Sequence, residues 1–157
     1  MEHDVLSRLR DLLSTTRVLS LAVIVEGQAE AALLPFVASD DFEAVHVQAS
    51  GLAWHARGLT AGARVGLLVH APDTAEADPM QLPRLTVQAV VSILDKDAGQ
   101  FAAAAARFAG RFPTAEMTLS LGDFSLYELT LGRGRYVEGF ARAFNVGPQT
   151  FAEIAAL

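Results

Sequence analysis

The chain has 157 residues, 52% of them hydrophobic and 19% charged, which suits one globular domain with a sizeable core and excludes a disordered chain. Its formal net charge of −6, from 12 Lys+Arg against 18 Asp+Glu, repels polyanions, so no nucleic-acid partner is expected. Cysteine is absent, which excludes disulfides, thiolate catalysis and thiolate metal sites from this sequence.

Val5, Leu6, Leu9, Leu12 and Leu13 recur at helical spacing, so the opening segment is an amphipathic helix ending near Ser14-Thr15-Thr16. The same stretch, MEHDVLSRLRDLL, has acidic residues where a signal peptide needs basic ones. The longest apolar run, VLSLAVIV, is too short to cross a bilayer as a helix. A cytoplasmic protein with no membrane partner is therefore expected.

Residues 18–25 and 31–39 flank the turn-like EGQAE and predict an antiparallel hairpin, with Pro35 marking an edge or a bulge. Residues 44–50 alternate Val45, Val47 and Ala49 against His46, Gln48 and Ser50, the period of a strand with one wet face. A short helix over 51–59 and a strand over 63–70 follow, then a Pro- and Asp-containing loop, APDTAEADPMQLP. In 84–94, Leu85, Val87, Ala89, Val91 and Ile93 face one way, while Arg84, Thr86, Gln88 and Ser92 face the other.

Residues 97–112 predict a helix from alanine content and the spacing of Phe101, Phe108 and Phe112, closed by Pro113. A last strand over 124–131 leads into GRGRYVEGFARAF and a short helix after Pro148. With no repeat and no composition boundary, residues 1–157 read as a single α+β domain on an antiparallel sheet or barrel with helices at the start, middle and end. The apolar balance leaves less polar surface than a monomer ordinarily shows, which points to self-association.

His3, His46, His55 and His70 lack ligand-type spacing, so no metal site is expected, and no catalytic residue can be named. There is no Gly-x-Ser-x-Gly elbow and no phosphate loop of the Walker or Rossmann type. What remains is polar. Ser50 and His55 flank a change from strand to helix, where backbone N–H groups, a hydroxyl and an imidazole make either a phosphate cradle or a plain helix cap. Arg57 lies on a different side of a regular helix from His55 and joins it only if the turn is irregular or the ligand wraps around the helix start.

Arg84, Thr86 and Gln88 form a row suited to the edge of a planar heterocycle, or a solvated face. The stretch GRGRYVEGF, with Arg133, Arg135 and Tyr136, either closes over an acidic group at a subunit interface or is a hairpin with irregular ends. Trp54 and the Phe101, Phe108, Phe112 row predict core or interface packing.

SGLAWHARGL, ARVGLLV, DPMQLPRLTVQAVV and FSLYELTLGRGRYVEGFARA, in that order and spacing, resemble the pyridoxamine 5′-phosphate oxidase-like flavoproteins, in the branch similar to haem-utilisation proteins. The resemblance implies a split β-barrel that dimerises, binds a small molecule and holds FMN at the subunit interface for redox chemistry on an unidentified substrate. It implies that Ala49 and Ser50 line the flavin, that His55 takes the place of a phosphate-binding lysine, and that Arg84 meets the cofactor from its strand. Against that pattern, residues 31–39 carry no cation and Trp54-His55 stands where the oxidases have Arg-Lys. The alternative is a haem- or other ligand-binding dimer without flavin chemistry. The relatives in that branch use a C-terminal histidine for haem, whereas the last histidine here is His70.

Overall fold

Alternating burial along successive strands closes the sheet on itself. In the computed structural model, which describes residues 1–157, helix α1 (His3–Thr15) precedes β1 (Val18–Val25), β2 (Gln28–Ala38) and β3 (Ala44–Ser50). A single 3-10 turn over Trp54–Gly58 leads to β4 (Arg64–His70) and β5 (Arg84–Ile93). Then come α2 (Gly99–Arg111), α3 (Ala115–Ser120), β6 (Phe124–Gly139), β7 (Arg142–Val146) and α4 (Pro148–Ala155). All pairings are antiparallel, in the order β3-β2-β1-β4-β5-β6-β7, and a β3–β6 pairing closes the first six strands into a barrel with β7 outside the closure. This is the expected α+β split barrel with peripheral helices.

β1 turns Leu19, Leu21, Val23 and Val25 inward, and β5 does the same with Leu85, Val87, Ala89 and Val91. These side chains fill the barrel, and α1 and α4 add Leu9, Leu13, Phe151 and Ile154 to the same core. Burying such side chains stabilises the fold by roughly 1.5–3 kcal/mol each before entropy is counted. A two-residue turn, Glu26-Gly27, joins β1 to β2 with both residues at positive φ, the geometry that follows the twist of the strands.

Four local expectations are corrected. Pro35 marks neither an edge nor a bulge: it pairs with Val18 where β2 passes from β1 to β3, at the changeover between two ladders. β3 has no wet face, because α2 and α3 cover its outward side. There Leu119, Phe108 and Ala104 build a second core with Val37 and Leu126, and Thr118 donates to Gln48. The helix over 51–59 is only the 3-10 turn, and the last strand is twice the expected length, running on through Gly139.

The hairpin of β6 and β7 is tied to the opening helix. Arg8 donates to Glu138 at 2.6 Å and Arg142 donates to it at 2.9 Å, so two guanidinium groups share one carboxylate. No helix is long and apolar enough to cross a membrane.

Candidate functional site

Strand register places one residue from each strand but β3 side by side on the outer wall of the barrel. One row runs Leu33, Ser20, Leu68, Thr86, Arg135 and Asn145; the next runs Ala31, Ala22, Gly66 and Gln88. Opposite Gln88, β6 bulges by one residue, since Val87 pairs with Gly134 but Ala89 pairs with Leu131. The bulge brings the Arg133 guanidinium over β5, where its Nε donates to Gln88 Oε1 at 3.1 Å.

These rows define a cleft of about 560 Å³ lined by Gly66, Thr86, Gln88, Arg133, Arg135 and Asn145 among others. Arg135 donates to Asn145 Oδ1 at 2.8 Å. Both arginines are therefore splinted by neutral amide oxygens, which orient the guanidinium groups without cancelling their charge. Arg64 extends the cationic strip beside Gln88 and Arg133. No acidic residue lines the cleft, although the chain as a whole is acidic.

The floor is bare. Gly66 contributes no side chain to the outer row, and Gly134, paired with inward-facing Val87, lets the two strands close up, since a Cβ on it would lie 2.4 Å from the Thr86 carbonyl oxygen. On the β1 side the cleft continues, through Gly66 and Thr86, into an apolar groove of about 260 Å³ bounded by Ala22, Ala31 and Leu68. Leu33, 68% exposed, and Ile24, 60% exposed, stand on the same outer wall. A flat apolar surface with cations at one end suits an amphiphilic planar ligand that carries acidic groups on one edge.

The six residues singled out in the sequence are divided by the structure. Gln88 lies in the cleft. Arg84 is on the same strand but donates to the carbonyls of Met80 and Leu82, pinning the loop before it. Ala49 points into the barrel core. Ser50, His55 and Arg57 are outside the cleft lining. Thr86, Arg133 and Arg135 join Gln88 as the sequence suggested separately for each segment, while Tyr136 faces inward, its phenol pushed up to about 12 by burial and then by Glu138.

At the supposed phosphate corner the charges run the wrong way for a phosphate. Ser50 Oγ donates to Asp123 Oδ2 at 2.6 Å and accepts from the Leu52 N–H at 3.1 Å, so its hydroxyl caps the turn against a carboxylate. The His55 Nε2 is buried without a partner, and desolvation lowers its pKa below the ordinary 6.5, which keeps the imidazole neutral at pH 7. Arg57 reaches Glu26 at 3.4 Å and lies 4.4 Å from the centre of the Trp54 ring. Trp54 is 47% exposed and belongs to that stack, so of the core or interface packing expected for it the core is ruled out. A phosphate held by the Ser50 hydroxyl would compete with the like-charged carboxylate of Asp123, and the cation at this corner, Arg57, is turned to Glu26 and Trp54. The corner does not fit an FMN phosphate.

No family model matches the chain. Over 143 residues it is 29% identical to heme oxygenase HutZ of Vibrio cholerae, covering 90% of this chain and 80% of that protein. The crystal structure of HutZ, described as a heme storage protein, aligns over 79% of this chain and 87% of its own with a TM-score of 0.70 and 26% identity. The chain is a split barrel similar to these haem-related proteins. Within this fold, a heme binding protein from Mycobacterium smegmatis matches 98% of the chain at a TM-score of 0.84 and 26% identity, and the chain spans 62% of that protein's length. A pyridoxinephosphate oxidase family protein from Clostridium acetobutylicum, 11% identical with a TM-score of 0.70, shares the split-barrel architecture.

Proposed function

We propose that this split-barrel protein binds haem as a homodimer and does not carry out flavin chemistry. The observation that carries the reading is the continuity of the apolar groove at Ala22, Ala31 and Leu68 with the cationic cleft at Arg133 and Arg135. Haem has the matching form, an apolar plate with two carboxylates on one edge. Arg133 and Arg135 would hold the carboxylates, and Gly66 with the apolar wall at Ala22, Ala31 and Leu68 would take the plate. The haem-related names of HutZ and of the mycobacterial protein support the same ligand class.

A second copy completes the site in this reading. Leu33, Ile24 and Val90 are large apolar side chains left in water on the wall that bears the cleft, and covering them with the same wall of another copy encloses the ligand. The bound iron supplies the redox and oxygen chemistry open to haem. The chain's own residues bind, orient and shield it.

The test is a titration of the full chain with haem and, separately, with FMN. A saturable, displaced Soret band with unchanged FMN fluorescence is expected, and sedimentation should give the mass of two chains. Quenching of FMN at tens of micromolar together with an unshifted haem spectrum would overturn the reading in favour of a flavoprotein.

A further inference from the structure

We infer that the cleft selects its ligand by two carboxylates and not by the metal, so that metal-free protoporphyrin binds as well as haem. The inference rests on haem-class binding at this cleft and goes beyond it by naming what the protein recognises. Arg133 and Arg135 are two residues apart on β6 and both point outward, while Tyr136 between this pair and Glu138 turns in. Their Nε and Nη donors are held by Gln88 and Asn145, which cost no charge and leave the remaining N–H groups of each fork free for a carboxylate. Arg64 keeps the potential positive along the neighbouring strand.

The same lining is poor in metal donors. Gly66, Thr86, Val87, Gln88, Gly134 and Val146 surround the arginines, with no imidazole, thioether or phenol among the cleft residues. Two of the four histidines have an inward ring: His46 is 3% exposed beneath α2, and the Nε2 of His55 is buried. The groove offers the macrocycle van der Waals contact, and the arginines offer its acidic edge charge-assisted hydrogen bonds. Neither contact depends on what occupies the ring centre.

The experiment compares three probes on the full chain: haem, metal-free protoporphyrin IX and protoporphyrin IX dimethyl ester, by fluorescence quenching and absorbance. Haem and the free acid should bind within about threefold of each other, and the ester, with both charges removed, roughly a hundredfold more weakly. The double variant Arg133→Gln, Arg135→Gln should bring the free acid down to the level of the ester. Its circular dichroism should match that of the parent, since both side chains are exposed.

Haem binding tenfold or more above the free acid, with a Soret band altered by His70→Ala or His3→Ala, would show metal recognition and overturn the inference while leaving haem binding standing. An ester that binds as well as the acid would also overturn it. No binding of haem or of either porphyrin would overturn both the inference and the function on which it rests.

Discussion

Gly134 stands against Val87 across the β5–β6 ladder so closely that a Cβ on it would lie 2.9 Å from the Val87 Cα. Gly134 shares the inward face of Val87, so no side chain fits between the two strands at that point. Gly134→Ala should separate β5 from β6 at the bulge and destabilise the fold by about 1–3 kcal/mol, the usual cost of overpacking. Urea denaturation followed by circular dichroism reads the loss. An unchanged midpoint would mean that the ladder yields freely.

Much of the barrel was legible because its strands obey a local rule. In 18–25 and 84–92 the buried residues alternate, so chain order and face both follow from the pattern; Ile93, expected on the inward face, is instead 48% exposed because the strand ends there and the buried position passes to Leu94. The second half of β6 was hidden because Gly132 and Gly134, demanded by close approach to β5, interrupt the hydrophobic alternation that identifies a strand. α3, six residues long, is too short to show a period. The covered face of β3 was misread because His46 and Gln48 look solvated locally, and only the long-range docking of α2 and α3 buries them. At the site, Gln88 and the two arginines were each visible. What the sequence does not contain is the register Thr86 to Arg135, with the bulge beside it, which makes them one cleft.

His46 is almost wholly buried and its Nε2 lies 2.9 Å from Glu128 Oε2, while its Nδ1 has no partner. Glu128→Ala strands the remaining ring nitrogen as well, and should destabilise the protein by about 1–3 kcal/mol. Adding His46→Leu to that variant removes the stranded polar group and should recover part of the loss, since replacing both partners costs less than orphaning one. Urea midpoints of the two single variants and the double variant check this coupling. Strict additivity would show that the pair contributes nothing as a pair.

Desolvation holds the His55 pKa below its ordinary 6.5, and this sets a pH dependence with a definite sign. Above 6.5 the imidazole is neutral in the folded and unfolded chains alike, and it makes no contribution to the slope. As the pH falls from 6.5 toward the lowered folded value, the unfolded chain takes up a proton that the folded chain resists, so stability declines. Below the folded value the penalty is complete. His55→Gln, which cannot titrate, should lose less stability than the parent between pH 7.5 and 5.5, measured as the difference in urea midpoints. Equal losses would place the acid sensitivity elsewhere.

Arg111 on α2 closes the end of α1 from outside. Its guanidinium donates to the carbonyls of Ser14 at 2.7 Å, Thr15 at 3.0 Å and Thr16 at 2.8 Å, and α1 has no basic residue of its own in its last turn. Helix C-termini leave carbonyls without intrahelical donors, so this one side chain both satisfies them and fastens α2 to the start of the chain. Burial and then Arg17 pull its pKa below the usual guanidinium value, yet far too little to discharge it at neutral pH. Arg111→Ala should destabilise the protein by about 1–3 kcal/mol and speed amide exchange both in the last turn of α1 and in α2. Arg111→Lys, which keeps the charge but loses the fork, should fall between the two. If exchange quickens in α1 alone, the contact caps that helix without anchoring α2, and the covering of β3 by α2 and α3 must then rest on the apolar contacts of Phe108 and Leu119.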